Sequence, residues 1–239
     1  MDQHAFAHRS IRAFKAEPVD YKTLLAVAQA TSSSEFLQEF TIIRVTDQAL
    51  RETIRQVTNC DFITGPGELF IFVVDTNRDI RIAGAQADTH HFTNWNAFLA
   101  GAFDATLAAQ NVLATAERSG LGGVILGSIL NDPQQLIDAL HLPRHTFPLL
   151  GLMVGVPDQA PDAKPRLPQA LVVGENGYPQ ADLSLAAYDQ QLAAYYQSRA
   201  WNPRQETFTS LVHHHLSADQ HHRDEIGAIL KAQGFSLPQ

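Results

Sequence analysis

The sequence predicts an α/β or mixed α+β fold, because segments of helical periodicity alternate with apolar runs of strand length. FTIIRV (residues 40–45) and LFIFVVD (residues 69–75) consist of the β-branched and aromatic residues that favour strands. FPLLGLMVGVP (residues 147–157) has the continuous apolar pattern of a buried strand. With 239 residues, 45% of them hydrophobic, the chain can bury a large core in one domain or at most two.

Helices in the first half are predicted from apolar spacing and end signals. The first follows Pro18, and a short charged helix covers residues 47–57. The longest lies within residues 93–120, where apolar residues recur at a period near 3.6 over a wide arc and Gly120 is a C-cap. Such a wide arc indicates burial on more than one side, in a core or against a second subunit.

The second half is predicted to hold further elements around a proline-rich segment. GVIL (residues 123–126) is predicted as a strand, and a helix is predicted to open at Asn131. Four prolines in PDQAPDAKPRLP (residues 157–168) exclude a regular helix or central strand there. Beyond it we predict a strand at ALVV (residues 170–173), an amphipathic helix over residues 182–200, and two more helices from Glu206.

The charge balance argues against polyanionic partners. Lys and Arg number 17 against 25 Asp and Glu, a formal net charge of -8, so the average surface repels nucleic acid and acidic membranes. A site for a phosphorylated small molecule must therefore gather its cations locally. Short basic clusters in this chain are for this reason candidate binding sites for phosphorylated small molecules.

Cysteine usage and the amino terminus predict a soluble cytoplasmic protein. Cys60 is the only cysteine, so an internal disulfide cannot form. The first ten residues, MDQHAFAHRS, lack the apolar run of a signal peptide. No window is expected to reach the roughly 18 apolar residues of a membrane span.

Several common motifs are absent. GLGGVILG (residues 120–127) does not fit G-x-G-x-x-G, because Ile125 stands at the third glycine, so its glycines are assigned to a tight helix-to-strand connection. The histidines, including those at positions 90–91, 213–215 and 221–222, lack the spacing of a metal site, and no metal is predicted. No G-x-S-x-G elbow is present and Cys60 lacks a nucleophile signature, which argues against hydrolysis.

Three basic clusters remain, and each alone is more typical of a solvated patch. They are His8, Arg9 and Arg12; Lys164 and Arg166; and Arg199 and Arg204. HRSIR places donors of different reach around a small hydroxyl, which suits phosphate oxygens. KPRLP fixes two cations on a stiff loop, which costs little entropy to order around an anion.

Four segments together resemble the FMN-dependent nitroreductase superfamily, in particular its oxygen-insensitive NADPH nitroreductase and flavin reductase group. They are HRSIRAF, ATSSSEFLQ, DATLAAQNVLATAERSGLGGV and KPRLP, and the likeness runs in the same order from His8 to about Arg204. The resemblance implies one nitroreductase-like domain over residues 1–239, with a C-terminal helical extension from about residue 206. It also implies an α+β fold with a central mixed, mainly antiparallel sheet flanked by helices, in an intertwined homodimer.

The resemblance further implies site residues. In that family H-R-S-I-R binds the FMN phosphate and ribityl chain, which assigns His8, Arg9, Ser10 and Arg12. It places near the flavin the serines Ser32, Ser33 and Ser34 and the turn residues Gly127 and Ser128. Lys164 is expected at the flavin N1 and O2 edge, where a cation favours the charge of the reduced state, and Arg166 towards the phosphate. Arg199 and Arg204 resemble the pair that holds the NADPH 2'-phosphate.

Three positions depart from the family pattern. Asp61 follows Cys60 where relatives often have a glycine-glutamine pair, and an ionised carboxylate cannot donate to a flavin carbonyl. Glu35 stands where relatives often have serine, and His221 near a position where some carry arginine. Both changes lower the positive charge at the expected substrate mouth, which allows a different preference among oxidants.

The activity that the resemblance implies is reduction of nitroaromatics, quinones or related small acceptors by NADPH, through a ping-pong hydride transfer in a flavoprotein. One alternative is an NADPH:flavin oxidoreductase that releases reduced flavin. Another is a non-catalytic flavin-binding sensor, in which Asp61 and Glu35 block substrate entry. Bleaching of the flavin by NADPH separates an enzyme from a sensor.

Overall fold

The computed structural model describes residues 7–84, 86, 88–180, 184–199, 202–217 and 223–237. The chain forms two compact units. Met1–Ala160 and Arg223–Gln239 make up the first, which we call the sheet unit. The second, Pro161–His222, we call the helical unit.

The described part of the sheet unit contains a four-stranded sheet of order β1-β2-β4-β3 in which all neighbouring strands are antiparallel. The strands are β1 (Phe40–Val45), β2 (Glu68–Asp75), β3 (Gly122–Leu126) and β4 (Thr146–Gly155). Phe40 pairs with Val74, and Gly123 with Val154. Ser10 adds one parallel bridge to Gly123. The predicted α+β class with a mainly antiparallel sheet is confirmed.

Helices begin where the sequence supplies capping side chains. The sheet unit contains α1 (Tyr21–Gln29), α2 (Gln48–Thr58), α3 (Asn77–Ala83), α4 (Trp95–Arg118) and α5 (Pro133–Ala139), the helical unit contains α6 (Ala186–Ser198) and α7 (Phe208–Ser217), and α8 (Ile226–Ala232) returns to the sheet unit. Asp20, Asp47, Asn94 and Asp132 each accept a hydrogen bond from the backbone N–H three positions on. These caps satisfy amide groups that the first helical turn leaves without partners.

The sheet lies between two helical layers. Successive side chains on β2 point to opposite faces of the sheet, so each face packs against one layer. Phe70 and Phe72 pack with residues of α1 and α4. Leu69, Ile71 and Val73 pack on the opposite face with residues of α2 and α5. A third cluster joins the end of β2 and β4 to α8. All five of these β2 residues are buried, so β2 is a central strand.

Among the described helices, α4 alone has the length and composition that could cross a membrane. This corrects the expectation that no segment of the chain would meet that criterion. Half of its 18-residue apolar window is buried inside the protein, as in a core helix, and its small residues Ala105, Ala108 and Ala109 pack towards the sheet. Its outer side carries an apolar stripe with exposures of 43–62%: Trp95, Leu99, Phe103 and Leu107.

One predicted strand and the start of one predicted helix differ from the structure, and helix α3 was not predicted. ALVV is not a strand: Gln169–Leu171 forms a 3-10 helix and Val172 is exposed. None of the described strands pairs with this run, so it gains no ladder of hydrogen bonds. The helix predicted to open at Asn131 begins at Pro133, because Asp132 caps it and proline has no N–H to leave unpaired in the first turn.

In the helical unit, α6 and α7 pack against each other. Tyr188 and Tyr196 on α6 are buried, and the Tyr188 ring lies 5.7 Å from that of Phe208 between centroids. The Asp189 carboxylate accepts the backbone N–H of Thr209 at 3.0 Å and its hydroxyl at 2.5 Å. The side chain of Asp189 therefore ties the start of α7 to α6.

Candidate functional site

The HRSIR segment lies along the first residues of β3. Ser10 bridges Gly123, and the Ile11 N–H donates to the Gly123 carbonyl at 3.0 Å. The Ile11 side chain is buried against Gly122, where an added Cβ would lie 2.5 Å from Ile11 Cγ1. This close approach requires glycine at position 122. The backbone of the segment is thus fixed by the sheet.

Arg9 and Arg12 are exposed on this fixed backbone. Arg9 donates to the Ala7 carbonyl at 3.3 Å. Neither guanidinium forms an ion pair with a carboxylate of the described residues. In an acidic chain, two exposed guanidinium groups without carboxylate partners suit a phosphate ligand.

The third basic residue of the segment, His8, has a partner that the sequence does not indicate. His8 Nδ1 lies 2.6 Å from Glu117 Oε1, at the C-terminal end of α4. The Glu117 side chain is only 18% exposed. The contact is an ion pair when His8 is protonated and a hydrogen bond when it is neutral. It holds His8 at the end of α4.

The predicted serine cluster is held by a buried carboxylate of α4. Asp104 is 1% exposed and accepts the backbone N–H groups of Ser34 at 2.9 Å and Glu39 at 3.1 Å. Ser33 Oγ accepts a backbone N–H of the same turn at 2.8 Å. Ser32 is exposed. Asp104 therefore fixes the turn from both ends.

This turn has an unusual backbone. Glu35, Phe36 and Gln38 have positive φ values of 51°, 61° and 56°, a region that non-glycine residues seldom occupy. The Phe36 side chain is 82% exposed. Each residue in this region costs free energy, so the hydrogen bonds to Asp104 must stabilise the turn in this conformation.

A polar cavity of about 230 Å³ adjoins the serine turn. Its lining includes Ser34, Glu35, Glu39, His91 and Asn94. Glu39 is 2% exposed, and burial raises its pKa to about 7. The nearby carboxylates of Asp79, Asp104 and Glu35 raise this pKa further, and the positive charge of Arg78 lowers it. Glu39 is a buried acid that the sequence analysis missed.

Gly127 and Ser128 open the short 3-10 helix after β3. An added Cβ at Gly127 would meet nothing within 4 Å, so the turn borders open space. The Gly127 carbonyl accepts Arg223 Nη2 at 3.1 Å. Ser128 Oγ lies 3.9 Å from Cys60 Sγ.

Two of the three departures from the family pattern lie in described parts of the chain. Asp61 is 94% exposed and pairs with Arg55 at 3.1 Å. Glu35 lines the polar cavity. His221 lies outside the described residues. The exposed residues His213–His215 lie on α7, and the described residues contain no group of three or more His, Cys, Asp and Glu suited to a metal ion.

In the helical unit, the KPRLP loop borders a cavity of about 550 Å³. Its mostly apolar lining includes Lys164, Arg166, Val172, Tyr188, Leu192 and Phe208. The Tyr188 hydroxyl donates to the Pro165 carbonyl at 3.2 Å, which ties the loop to α6. Lys164 and Arg166 are both exposed. The loop therefore holds two exposed cations at the edge of an apolar cavity.

Three of the predicted cations converge on Tyr196, which is 2% exposed. Measured to its ring centroid, Arg204 Cζ lies at 4.4 Å, Lys164 Nζ at 5.1 Å and Arg199 Cζ at 5.8 Å. The backbone N–H of Arg204 also donates to the backbone carbonyl of Tyr196 at 3.2 Å. The resemblance divides these cations between flavin and nucleotide, whereas the structure places all three around one side chain.

Tyr196 and Glu206 complete this cation cluster, and no sequence motif indicates either. Burial alone would raise the Tyr196 pKa, but hydrogen bonds from Lys164 and Arg204 outweigh burial and lower it below its usual value. Arg204 Nε lies 2.6 Å from Glu206 Oε2. That buried oxygen makes no other polar contact with the described residues.

The described contacts thus group the predicted residues into separate sets. In the sheet unit, the HRSIR segment joins β3 and Glu117, while the serine turn joins Asp104. Gly127 and Ser128 lie at the opposite end of β3 from Gly123. In the helical unit, the cations gather on Tyr196. Exposed cations on a fixed backbone, in an α+β protein, have the chemistry that suits phosphorylated ligands.

Comparison with known proteins identifies the family. Residues 5–156 match the nitroreductase family and residues 164–238 its C-terminal domain. The chain is 40% identical over 235 residues to the oxygen-insensitive NADPH nitroreductase of Salmonella typhimurium, covering 96% of this chain and 95% of that one. It resembles the crystal structure of nitroreductase A from Vibrio parahaemolyticus with a TM-score of 0.86 and 38% identity, over 98% of this chain and 96% of the other. It resembles the NADPH:FMN oxidoreductase of Vibrio harveyi in complex with NAD+ with a TM-score of 0.84 and 36% identity, over 98% and 97%. The chain belongs to the nitroreductase family.

Proposed function

We propose that the chain is an FMN-dependent NADPH oxidoreductase that reduces nitroaromatics, quinones or related acceptors. The observation that carries this proposal is the convergence of Arg199 and Arg204 on the ring of Tyr196 in a chain of net charge -8. NADPH differs from NADH by a 2'-phosphate, and the planar guanidinium fork suits that dianion. Similar proteins are named NADPH nitroreductase and NADPH:FMN oxidoreductase.

The donor set of the HRSIR segment fits the phosphate of FMN. Arg9 and Arg12 are exposed, and the pairing of the segment with β3 lowers the entropy that binding must offset. His8 and the Ser10 hydroxyl add shorter donors. We assign these four residues to the FMN phosphate and ribityl chain, and Arg166 to the phosphate.

The chemistry divides between cofactor and protein. FMN, when bound, accepts a hydride from the nicotinamide and passes two electrons to the acceptor. Lys164, on a loop tied to α6 by Tyr188, supplies a fixed cation for the flavin edge at which negative charge collects. Because nicotinamide and acceptor would use one flavin face in turn, we expect ping-pong kinetics with parallel double-reciprocal lines.

We further propose a homodimer formed through α4. The apolar stripe of Trp95, Leu99, Phe103 and Leu107 is exposed, and such a patch on a long helix is typical of a subunit interface. The serine turn, bound to Asp104 beside Phe103, presents the exposed Phe36. We therefore assign the three serines to flavin contacts near this interface, and Gly127 with Ser128 to the open turn that approaches the cofactor.

Two further parts of the proposal concern location and product. Cys60 is a free thiol, which fits a reducing compartment such as the cytoplasm. The alternative activity, an NADPH:flavin oxidoreductase whose product is free reduced flavin, is supported by the 36% identity to the Vibrio harveyi enzyme. Both activities begin with the same reduction by NADPH and differ in the acceptor.

The proposal is tested by the visible spectrum of the purified protein. We expect non-covalently bound FMN that NADPH bleaches under anaerobic conditions. Adding a quinone, a nitroaromatic or free FMN in separate samples should restore the colour and rank the acceptors. A yellow protein that NADPH fails to bleach would be a flavin-binding sensor, and a colourless protein that does not take up FMN would contradict the proposal.

A further inference from the structure

We propose that the polar cavity beside the serine turn binds a small organic ammonium ion, whose charged nitrogen is received by the Glu39 carboxylate. This inference goes beyond the proposed function, because Glu39 is not among the residues assigned to FMN or NADPH. It rests on the burial of Glu39, on the absence of a partner for its side chain among the described residues, and on the charge around the cavity.

Glu39 is a buried acid on a fixed backbone. It is 2% exposed, its backbone N–H donates to Asp104 at 3.1 Å, and its carbonyl accepts the backbone N–H of Asp75 at 2.9 Å. Gly101 allows α4 to approach this close, because an added Cβ would lie 2.6 Å from the Glu39 carbonyl oxygen. The Glu39 carboxyl group forms no hydrogen bond or ion pair with any residue that the structure describes. A buried carboxylate in this state is unfavourable when it is ionised.

Glu39 borders open space, since it forms part of the lining of the cavity of about 230 Å³. The small residues Ala97 and Ala100 of α4 leave this space free. Its volume corresponds to several water molecules, each of which occupies about 30 Å³ in the liquid. Leu37 and Phe92 add apolar surface to the lining. The cavity therefore has room for an ammonium group with a short alkyl chain.

Negative charge dominates the surroundings of Glu39. Burial and the carboxylates of Asp79, Asp104 and Glu35 raise the Glu39 pKa to about 7. Asp79 Oδ2 is itself buried without a hydrogen-bond partner in the described part of the chain, and burial raises the Asp79 pKa as well. Glu35 lines the same cavity. A cation in the cavity is attracted by all of these groups.

The basic group that acts on Glu39 is bound elsewhere. Arg78 lowers the Glu39 pKa, but its guanidinium donates to the Phe40 carbonyl at 3.2 Å and to the Gln38 carbonyl, and lies 3.9 Å from Asp75 Oδ2. The charge of Arg78 is thus shared with another carboxylate.

The remaining lining favours an organic cation over a metal ion. His91 is the basic residue of the lining and is exposed, and it forms no ion pair with Glu39. Within the described residues, no group of three or more His, Cys, Asp and Glu is suited to a metal ion. An ammonium ion needs only one buried carboxylate and neighbouring acceptors, which Ser34 and Asn96 of the lining can supply.

The test is calorimetric titration of the purified full-length protein with butylammonium chloride in phosphate buffer, with butan-1-ol as the neutral analogue. At pH 8 we expect saturable binding of butylammonium and none of butan-1-ol. At pH 6 the dissociation constant should be about tenfold higher, because below pH 7 the ligand must displace the Glu39 proton. The ligand itself stays charged, as the lysine ammonium does with its pKa of about 10.4.

Glu39→Gln keeps the shape of the side chain and removes its charge. At pH 8 it should weaken butylammonium binding by at least about tenfold and abolish the dependence on pH. The matched control is Glu52→Gln on α2, where the carboxylate pairs with Arg55 away from the cavity lining, and it should bind as the wild type does. Butylammonium should raise the Tm of the wild type and of the control at pH 8, and leave that of Glu39→Gln unchanged.

Four results would overturn the inference and leave the proposed function standing. They are a wild type that does not bind butylammonium at pH 8, equal binding of butan-1-ol, equal binding by Glu39→Gln, and an affinity that does not change between pH 8 and pH 6. The proposed function is tested separately, because bleaching of FMN by NADPH requires no ligand in this cavity.

Discussion

His8 Nδ1 lies 2.6 Å from Glu117 Oε1 across 109 positions of sequence. The bond joins the HRSIR segment to the last turn of α4, where the helix dipole also favours a cation. Glu117 thus fixes His8, although its negative charge lies near the position proposed for the FMN phosphate. Positioning and repulsion have opposite effects on cofactor affinity, so a measurement can decide which is larger.

Replacing the Glu117 carboxylate by an amide separates these effects. In Glu117→Gln we expect the dissociation constant of FMN to rise by about three- to tenfold, because a charge-assisted hydrogen bond contributes about 1.5–3 kcal/mol and the amide restores part of it. Equilibrium titration of flavin-free protein measures this constant. Glu52→Gln on α2, which removes a carboxylate paired with Arg55, is the control and should leave it unchanged. A tighter complex in Glu117→Gln would show that Glu117 acts by repulsion.

The proposed dimer depends on the apolar stripe of α4. Phe103 is its most exposed member at 62%, and a buried carboxylate at an interface without a partner is strongly unfavourable. We expect Phe103→Glu to be monomeric and depleted of FMN. Sedimentation of the wild type should give a dimer, as should the control Ala26→Glu, at an exposed position of α1. A wild-type monomer with stoichiometric FMN would argue against the dimer.

Glu39 should make stability depend on pH. Its pKa in the folded protein is about 7, against an ordinary 4.5, so between these values the unfolded chain is ionised while the folded protein retains the proton. The free energy of unfolding therefore falls as the pH rises from about 4.5 to 7, by at most about 3 kcal/mol. Above pH 7 we expect Glu39→Gln to be more stable than the wild type by up to this amount, and the difference to vanish near pH 4.5.

Denaturant unfolding of both proteins across this pH range measures the difference. Glu52→Gln is a control of opposite sign, because its hydrogen bond to Arg55 lowers the Glu52 pKa. Its loss should destabilise the protein above the ordinary glutamate pKa. A Glu39→Gln difference that does not change with pH would contradict the account.

Much of the fold was predictable because its elements have clear periodicity. The strand at residues 69–75 has a continuous apolar run that matches its burial. The long helix α4 follows its apolar period in sequence, although the large apolar residues of its outer side are exposed. Helix α3, NRDIRIA, was missed because it has seven residues, mixed polarity and no side-chain cap bond. The predicted strand at ALVV was wrong because local β propensity cannot show whether a partner strand is available.

The site was predictable only where a motif is continuous in sequence. The cations of the HRSIR and KPRLP segments were found in this way. The partners of these cations and of Arg204 belong to no sequence motif; they are Glu117, Tyr196 and Glu206. His8 contacts Glu117 only after α4 and β3 have formed. Such partners depend on tertiary packing. Sequence patterns therefore indicated the ligand chemistry, and the structure indicated its supports.

Selection of NADPH by the cation cluster tests the central claim most directly. In the variant Arg199→Ala, Arg204→Gln, Glu206→Gln both arginines are removed without leaving the Glu206 carboxylate unpaired. We would measure kcat/KM for NADPH and NADH, with Glu206→Gln alone as the control that keeps both arginines. The account predicts that the triple variant loses about a hundredfold or more with NADPH and less than about twofold with NADH. An equal loss with both nucleotides would contradict it.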